Sequence, residues 1–160
     1  MGVLLTWARW LEISPWGYPV RTSQWLYPFI QLIHFSGLSL WIGTSIALDM
    51  RLIGIGRRRQ TAAQLHEQLF AWNWLGFGIV VLGGFLLFSA AATTFLHNAA
   101  FLVKLEYLVP LGLIWHIFVQ AKTPQWGQQD GTPIPAKFAG ALEICLWLGV
   151  VTAAVLIPTY

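Results

Sequence analysis

Four long apolar runs set the terms for this chain. They occupy residues 24–52, 69–92, 99–121 and 138–157, and each reaches the roughly 20 residues that a helix needs to cross the hydrocarbon core of a bilayer. Little chain remains from which to build a soluble domain. Composition agrees, with 57% hydrophobic and only 9% charged residues, against about 25% charged in a soluble domain whose surface must be wetted. Ten Trp and four Tyr gather near the ends of the runs, where amphipathic rings favour the lipid–water boundary. The expected fold is an all-α membrane protein. An antiparallel four-transmembrane-helix bundle spans residues 23–160, with a short N-terminal interfacial helix in residues 1–22.

Local signals refine this picture. Gly37, Gly43, Gly76, Gly78, Gly83, Gly84, Gly112, Gly140 and Gly149 lie inside the runs, and in lipid small residues let helix backbones approach. Pro110 is placed to kink the third helix. Residues 93–98 read as a tight turn, and residues 122–135, with Pro124, Gly131, Pro133 and Pro135, as a polar loop. Short connections make sequential helices antiparallel neighbours. Residues 1–13 are too short to span and lack the basic start and cleavage site of a signal peptide, so they are expected to lie on the outer face. Cys145 is the only cysteine, which excludes an internal disulfide.

Arg51, Arg57, Arg58, Arg59, Lys122 and Lys137 fall in the two loops after the first and third helices. The positive-inside rule puts those loops in the cytoplasm and both termini on the periplasmic side of a bacterial inner membrane. The net charge of +3 then reflects topology and anionic lipid. The bilayer is the expected partner, and nucleic acid is not.

Ionisable groups inside spans are costly and mark function. His34 lies about 12 Å below the outer boundary at 1.5 Å per residue, on a stripe with Tyr27, Gln31, Gly37, Trp41, Ser45 and Asp49 that should face inward. His116 lies about 9 Å above the inner boundary, one turn from Gly112, and Glu143 lies at a similar depth. His97 precedes the third helix with Asn98 as N-cap; Lys104 stands two turns below it, and Glu106 points nearly the opposite way. Each has a plainer reading. An intramembrane His can bond two helices together, and His97 can be solvated. His66 suits the surface of an amphipathic helix start. Glu143 can be a protonated carboxyl bonding a neighbour, Lys104 can snorkel, and Asp49 can pair with nearby arginines.

One chemistry would unite these residues. Neutral imidazoles on facing helices are the usual axial ligands of haem b, and a four-helix bundle can hold haem in its core. His34 and His116 are the iron ligands to expect, about 9 Å apart along the membrane normal, with Gly37 and Gly112 leaving room for a flat ligand. His34 with Lys104, or a five-coordinate haem, are the alternatives. No CxxCH is present, so the haem would be non-covalent.

The run LEISPWGYPVRTSQWLYPFIQLIHFSGLSLWIGTSIALDMRLIG resembles the start of an uncharacterised bacterial four-helix membrane family. So do WNWLGFGIVVLGGFLLFSAA, HNAAFLVKLEYL and PIPAKFAGALEICLWLGVVTAAV. The resemblance covers nearly the whole chain and implies no activity. It places His34, Asp49, Arg51, His97, Asn98, Lys104 and His116 at pattern positions, with Gln31 where an acid is expected and Ala99 where Pro is expected. Glu143 and His66 fall outside the pattern. More distantly, His34 followed by Trp41 and Gly43, and Lys104 followed by His116, are similar to the first and third helices of haem-binding protoporphyrinogen-oxidase-type membrane proteins. Copper-resistance D-type proteins look similar. The likeness implies haem b, with a first-helix His and a Lys as functional residues, and adds Trp41 as a cofactor-binding candidate; His97 is, with Lys104, the alternative sixth ligand should His116 not be one.

The leading expectation is therefore a haem b-binding redox subunit that passes electrons between a partner protein and quinone. Lys104, Glu106 or Glu143 would then serve proton uptake. A metal or small-solute transport component is the second expectation, though two Met and one Cys argue against a dedicated copper path. A non-catalytic scaffold or assembly subunit, alone or as a homo-oligomer, is the third.

Overall fold

The computed structural model describes residues 2–56, 60–128 and 131–157. These residues form helices and turns without a strand. Two short helices, α1 (Gly2–Glu12) and α2 (Gly17–Thr22), lead into α3 (Leu26–Ile53) and α4 (Ala62–Ala90). The short α5 (Ala92–Leu96) turns the chain into α6 (Ala99–Val103), which runs through a π-helical turn (Lys104–Leu108) into α7 (Val109–Trp126); α8 (Ile134–Leu156) follows. The α6–α7 pair is one continuous span, Ala99–Trp126, and it, α3, α4 and α8 are each long and apolar enough to cross a membrane.

The bundle is inside-out by the standard of a soluble protein. Outward faces carry Phe29, Leu32 and Phe35 on α3, Leu82 and Phe85 on α4, and Ile114 and Phe118 on α7, all exposed. Inward faces mix Gly, Ala, Ser and polar residues with larger apolar ones such as Trp41, Leu48, Leu52, Val119 and Trp147. With lipid outside there is little hydrophobic force to press helices together. Close backbone packing and interhelical hydrogen bonds take its place. A Cβ on Gly76 of α4 would lie 2.7 Å from the Trp41 backbone nitrogen, and one on Gly37 of α3 would lie 2.6 Å from Ile79. On α8, a Cβ at Gly140 would sit 3.0 Å from the Asp49 carbonyl oxygen. Around the bundle α3 packs on α4 and α8, and α7 packs on α4 and α8. Among the described residues the α3 and α7 backbones do not approach within 8 Å, so these helices stand on a diagonal and meet through long side chains such as Trp41 and His116.

The helices depart from the apolar runs in several places, and α7 runs on to Trp126 and α8 starts at Ile134, both inside the expected loop of residues 122–135. Helix α4 begins at Ala62 instead of residue 69, because the Thr61 hydroxyl accepts from the Gln64 backbone N–H and the Gln64 side chain returns a bond to the Thr61 N–H. That capping box starts a helix through polar residues which hydropathy passes over. Residues 93–98 include a helical turn, α5, instead of a bare loop. Around Pro110 the helix widens. The Val109 N–H donates to the Lys104 carbonyl, five residues back, a register that absorbs the proline next in line.

Both ends of the bundle are tied. At one end the Arg51 Nε donates to the Gln60 carbonyl (2.8 Å), the Ala63 N–H to the Gly127 carbonyl (3.2 Å) and the Thr132 hydroxyl to the Leu52 carbonyl (2.5 Å). Gly54 closes α3 with φ 98°, a left-handed conformation suited to glycine. Arg57, Arg58 and Arg59, on which the expected orientation leans, lie outside the described residues. At the other end Glu12 accepts from the Thr93 N–H (2.8 Å) and hydroxyl (2.6 Å) and pairs with Arg21 at 3.5 Å. Asn98 caps α6 through Phe101 N–H and donates to the Ile157 carbonyl. Helix α1 rests on α4 and α5 through Ala8 and Leu11, with Trp7 and Trp10 exposed.

Candidate functional site

A polar cluster lies near the middle of the bundle where α3, α4, α7 and α8 converge. His116 on α7 is 0% exposed, and Asn73 on α4 and Glu143 on α8 are each 1% exposed. Three indole rings surround the imidazole, Trp74, Trp41 and Trp147, with centroids 5.7, 5.9 and 6.0 Å away. Trp41 and Trp147 also pack on each other at 4.5 Å. His116 stands ten residues before the end of α7, which puts it about 15 Å inside the helix end.

The hydrogen bonds assign most of the protons. The Ser45 and Thr44 hydroxyls each donate to helix carbonyls on α3, so toward α4 they can only accept. They accept from Asn73 Nδ2, each at 2.9 Å, and the Trp41 carbonyl accepts from the same nitrogen at 3.2 Å. Asn73 Nδ2 therefore faces α3 and its Oδ1 faces α7. That oxygen lies 2.9 Å from His116 Nε2, so Nε2 must carry a hydrogen and donate. The other ring nitrogen, Nδ1, lies 2.5 Å from Glu143 Oε1, which also accepts from Trp147 Nε1 at 3.2 Å. One proton is shared between Nδ1 and Oε1. Imidazolium with carboxylate and imidazole with carboxylic acid both satisfy the geometry, and both leave the pair without net charge, which is the form an interior tolerates.

Several buried polar atoms around this pair have no hydrogen-bond partner among the described residues. They are both Asp49 carboxyl oxygens, Glu143 Oε2, Gln120 Oε1, His66 Nε2, Arg51 Nη2 and the indole nitrogens of Trp41 and Trp74. Asp49 lies one turn beyond Ser45 on α3, is 1% exposed and packs against Gly140 of α8. It makes no pair with an arginine among the described residues. His66 is buried, contrary to its expected surface position, with its ring 5.4 Å from Phe70. The early start of α4 carries it into the bundle.

Of the five residues expected at a cofactor site, the structure brings together His116 and Trp41. His34 stands two turns from Trp41 on α3, where its Nδ1 donates to the Val80 carbonyl at 3.0 Å. Gly83 and Gly84 of α4 make room for its ring. Lys104 is half-buried with Nζ 5.8 Å from the Phe101 ring centroid. His97 is exposed at the far end of the bundle, bonded to the Thr93 carbonyl. The two glycines expected to leave room for a flat ligand are filled, Gly37 by Ile79 and Gly112 by the Trp147 ring at 3.2 Å. His34 and His116 thus stand on diagonal helices at different depths, and both nitrogens of His116 are engaged by protein. The pair does not fit one iron. His34 alone fits a single-ligand site, because its Nδ1–H bond leaves the Nε2 lone pair free. No group of three or more His, Cys, Asp or Glu able to hold a metal ion is present among the described residues.

A family model matches residues 7–158. The chain belongs to DUF6644, a family of unknown function. No curated protein and no solved structure matches it. In this DUF6644 chain the cluster includes residues that sequence reasoning passed over. Asn73 carried one signal, a lone amide between two tryptophans in an apolar run. Trp74 and Trp147 carried none, since tryptophans are abundant here. Glu143 was visible through its depth, which matches that of His116, while the resemblance directed attention elsewhere.

Proposed function

We propose that this protein is a proton-handling subunit of the membrane. Its working group is the His116–Glu143 pair, which holds one proton near the centre of the bundle. The observation that carries the reading is the fixed direction of Asn73. It makes Nε2 a donor and leaves the Nδ1–Oε1 contact as the place where a proton moves between a base and an acid. Intramembrane His and carboxylate groups recur in proton relays, and the indole cage keeps the pair apart from lipid and bulk water. On the positive-inside rule the end of the bundle nearer Gln120 and His66 faces the cytoplasm. Infrared difference spectra of the protein in lipid, recorded between about pH 5 and pH 9, test the proposal. A carboxyl or carboxylate band that responds to pH and disappears in Glu143→Gln is the expected result. No responsive band assignable to Glu143 would remove the reading, leaving a scaffold whose polar residues only join helices.

A second reading is favoured by the hydrogen bond from His34 to Val80. Its free Nε2 would be the single axial ligand of haem b, and such a subunit would pass electrons to a partner protein or quinone. Haem-supplemented protein should then show a five-coordinate Soret spectrum that is lost in His34→Ala and kept in His116→Ala. A colourless protein after haem supplementation would exclude it.

A further inference from the structure

We infer that the His116–Glu143 proton is exchanged from one side only, through Gln120 and His66, toward the end of the bundle where α3 passes into α4 and α7 into α8. The inference rests on the proposed proton-handling role and adds the route. It starts from the uneven distribution of buried polar groups. On the far side of His116, Trp41, Trp147 and Val150 form an apolar cluster with Ile42, Phe77, Val80, Leu108, Val109 and Leu113. The α3–α4 backbones press together there at Gly37 and Gly76. The buried polar side chains beyond that plug are Ser14, Ser89 and Asn98. All three are spent on backbone, as Ser14 and Ser89 bond helix carbonyls and Asn98 caps α6 and donates to the Ile157 carbonyl; the half-buried His34 is held on the Val80 carbonyl, and the half-buried Lys104 lies over the Phe101 ring.

The near side is different. Gln120 follows His116 by one turn, and its amide nitrogen lies 3.5 Å from His116 Nε2. Because Nε2 carries a hydrogen, the amide turned over would offer it the oxygen, and amide orientation is an assignment. In the orientation shown, the amide oxygen at the other end has no partner among the described residues. His66 on α4 faces the Gln120 side chain, and its Nε2 also has no partner. His66 lies seven residues before Asn73, about 10 Å nearer the helix start, and Gln120 lies about 6 Å beyond His116. A buried polar atom without a partner costs about 1–3 kcal/mol, a cost that bound water removes. A proton leaves the pair this way when the imidazolium form releases its Nε2 hydrogen to water beside Gln120 while the shared proton stays on Nδ1, facing the Glu143 carboxylate. His66 takes one proton from that water and releases one toward the end of the bundle, and uptake runs in reverse. The titratable groups facing the pair are Asp49 from α3, His66 from α4 and Glu143 itself from α8. On α7 the next one along is Lys122.

A pH jump on the full chain in liposomes, followed by the Glu143 infrared band, tests the route. Gln120→Leu and His66→Ala should each slow the response by about tenfold or more while leaving its final amplitude. Imidazole added to His66→Ala should restore the rate, which a merely structural role would not produce. Unchanged rates in both variants would overturn the route while the Glu143 band still stands. A full-rate response of the unsubstituted protein to a pH jump confined to the far side of the membrane would overturn it too, by showing access from that side. Absence of the band in the unsubstituted protein would instead sink the proton-handling role itself.

Discussion

His116 sits where removal of any one partner strands another. Its Nε2–H meets Asn73 and its Nδ1 meets Glu143. Breaking a buried pair on one side costs about 3–5 kcal/mol, because the remaining group is left unpaired. His116→Ala and Glu143→Ala should each destabilise the folded bundle by about that amount, and the double variant should cost clearly less than the sum. Reversible unfolding in mixed micelles measures all four corners of the cycle. A coupling below about 0.5 kcal/mol, the low end of the range for residues in contact, would mean that the two side chains do not act as a pair. At this scale the sequence was partly legible. Ionisable residues inside apolar runs stood out by charge, whereas Asn73 and the caging tryptophans became visible only by their neighbours.

Helices α3 and α4 form the tightest contact of the bundle, and glycine makes it so. A Cβ at Gly76 would collide with Trp41 backbone, which cannot move as a side chain can, while at Gly78, two residues on, nothing lies within 4 Å. Gly76→Val should therefore destabilise the protein by about 1–3 kcal/mol, and more where α3 is forced away from α4. Gly78→Ala should be close to neutral or mildly stabilising, since alanine is the better helix former. Thermal unfolding of the two variants in detergent distinguishes them, and equal losses would show that glycine content, not position, matters. Both glycines sit in apolar helix interiors in the sequence, and only the partner helix tells them apart. The start of α4 was hidden for a related reason. Its first turns are polar, so hydropathy set the boundary seven residues late, although Thr61 and Gln64 were present as a cap.

For the molecule as a whole, the Lys and Arg of two loops predict an orientation. Reporter fusions at Arg59 and Gln128 should both give cytoplasmic signals, and fusions at the C-terminus a periplasmic one. An external signal at either loop would reverse the topology and, with it, the side to which Gln120 and His66 lead. The up-down order of the four spans was set by the sequence through span length and short connections, one-dimensional properties that the bilayer thickness converts into structure. The site was a different matter. Spacing along one helix gives the face and depth of a residue, and on that basis His34 and His116 looked like partners. Which faces meet depends on how far each backbone approaches its neighbour and in what register. That was decided by glycine contacts between helices and by the direction of one amide. Those contacts put His116 against Glu143 and Asn73, and left His34 with Val80.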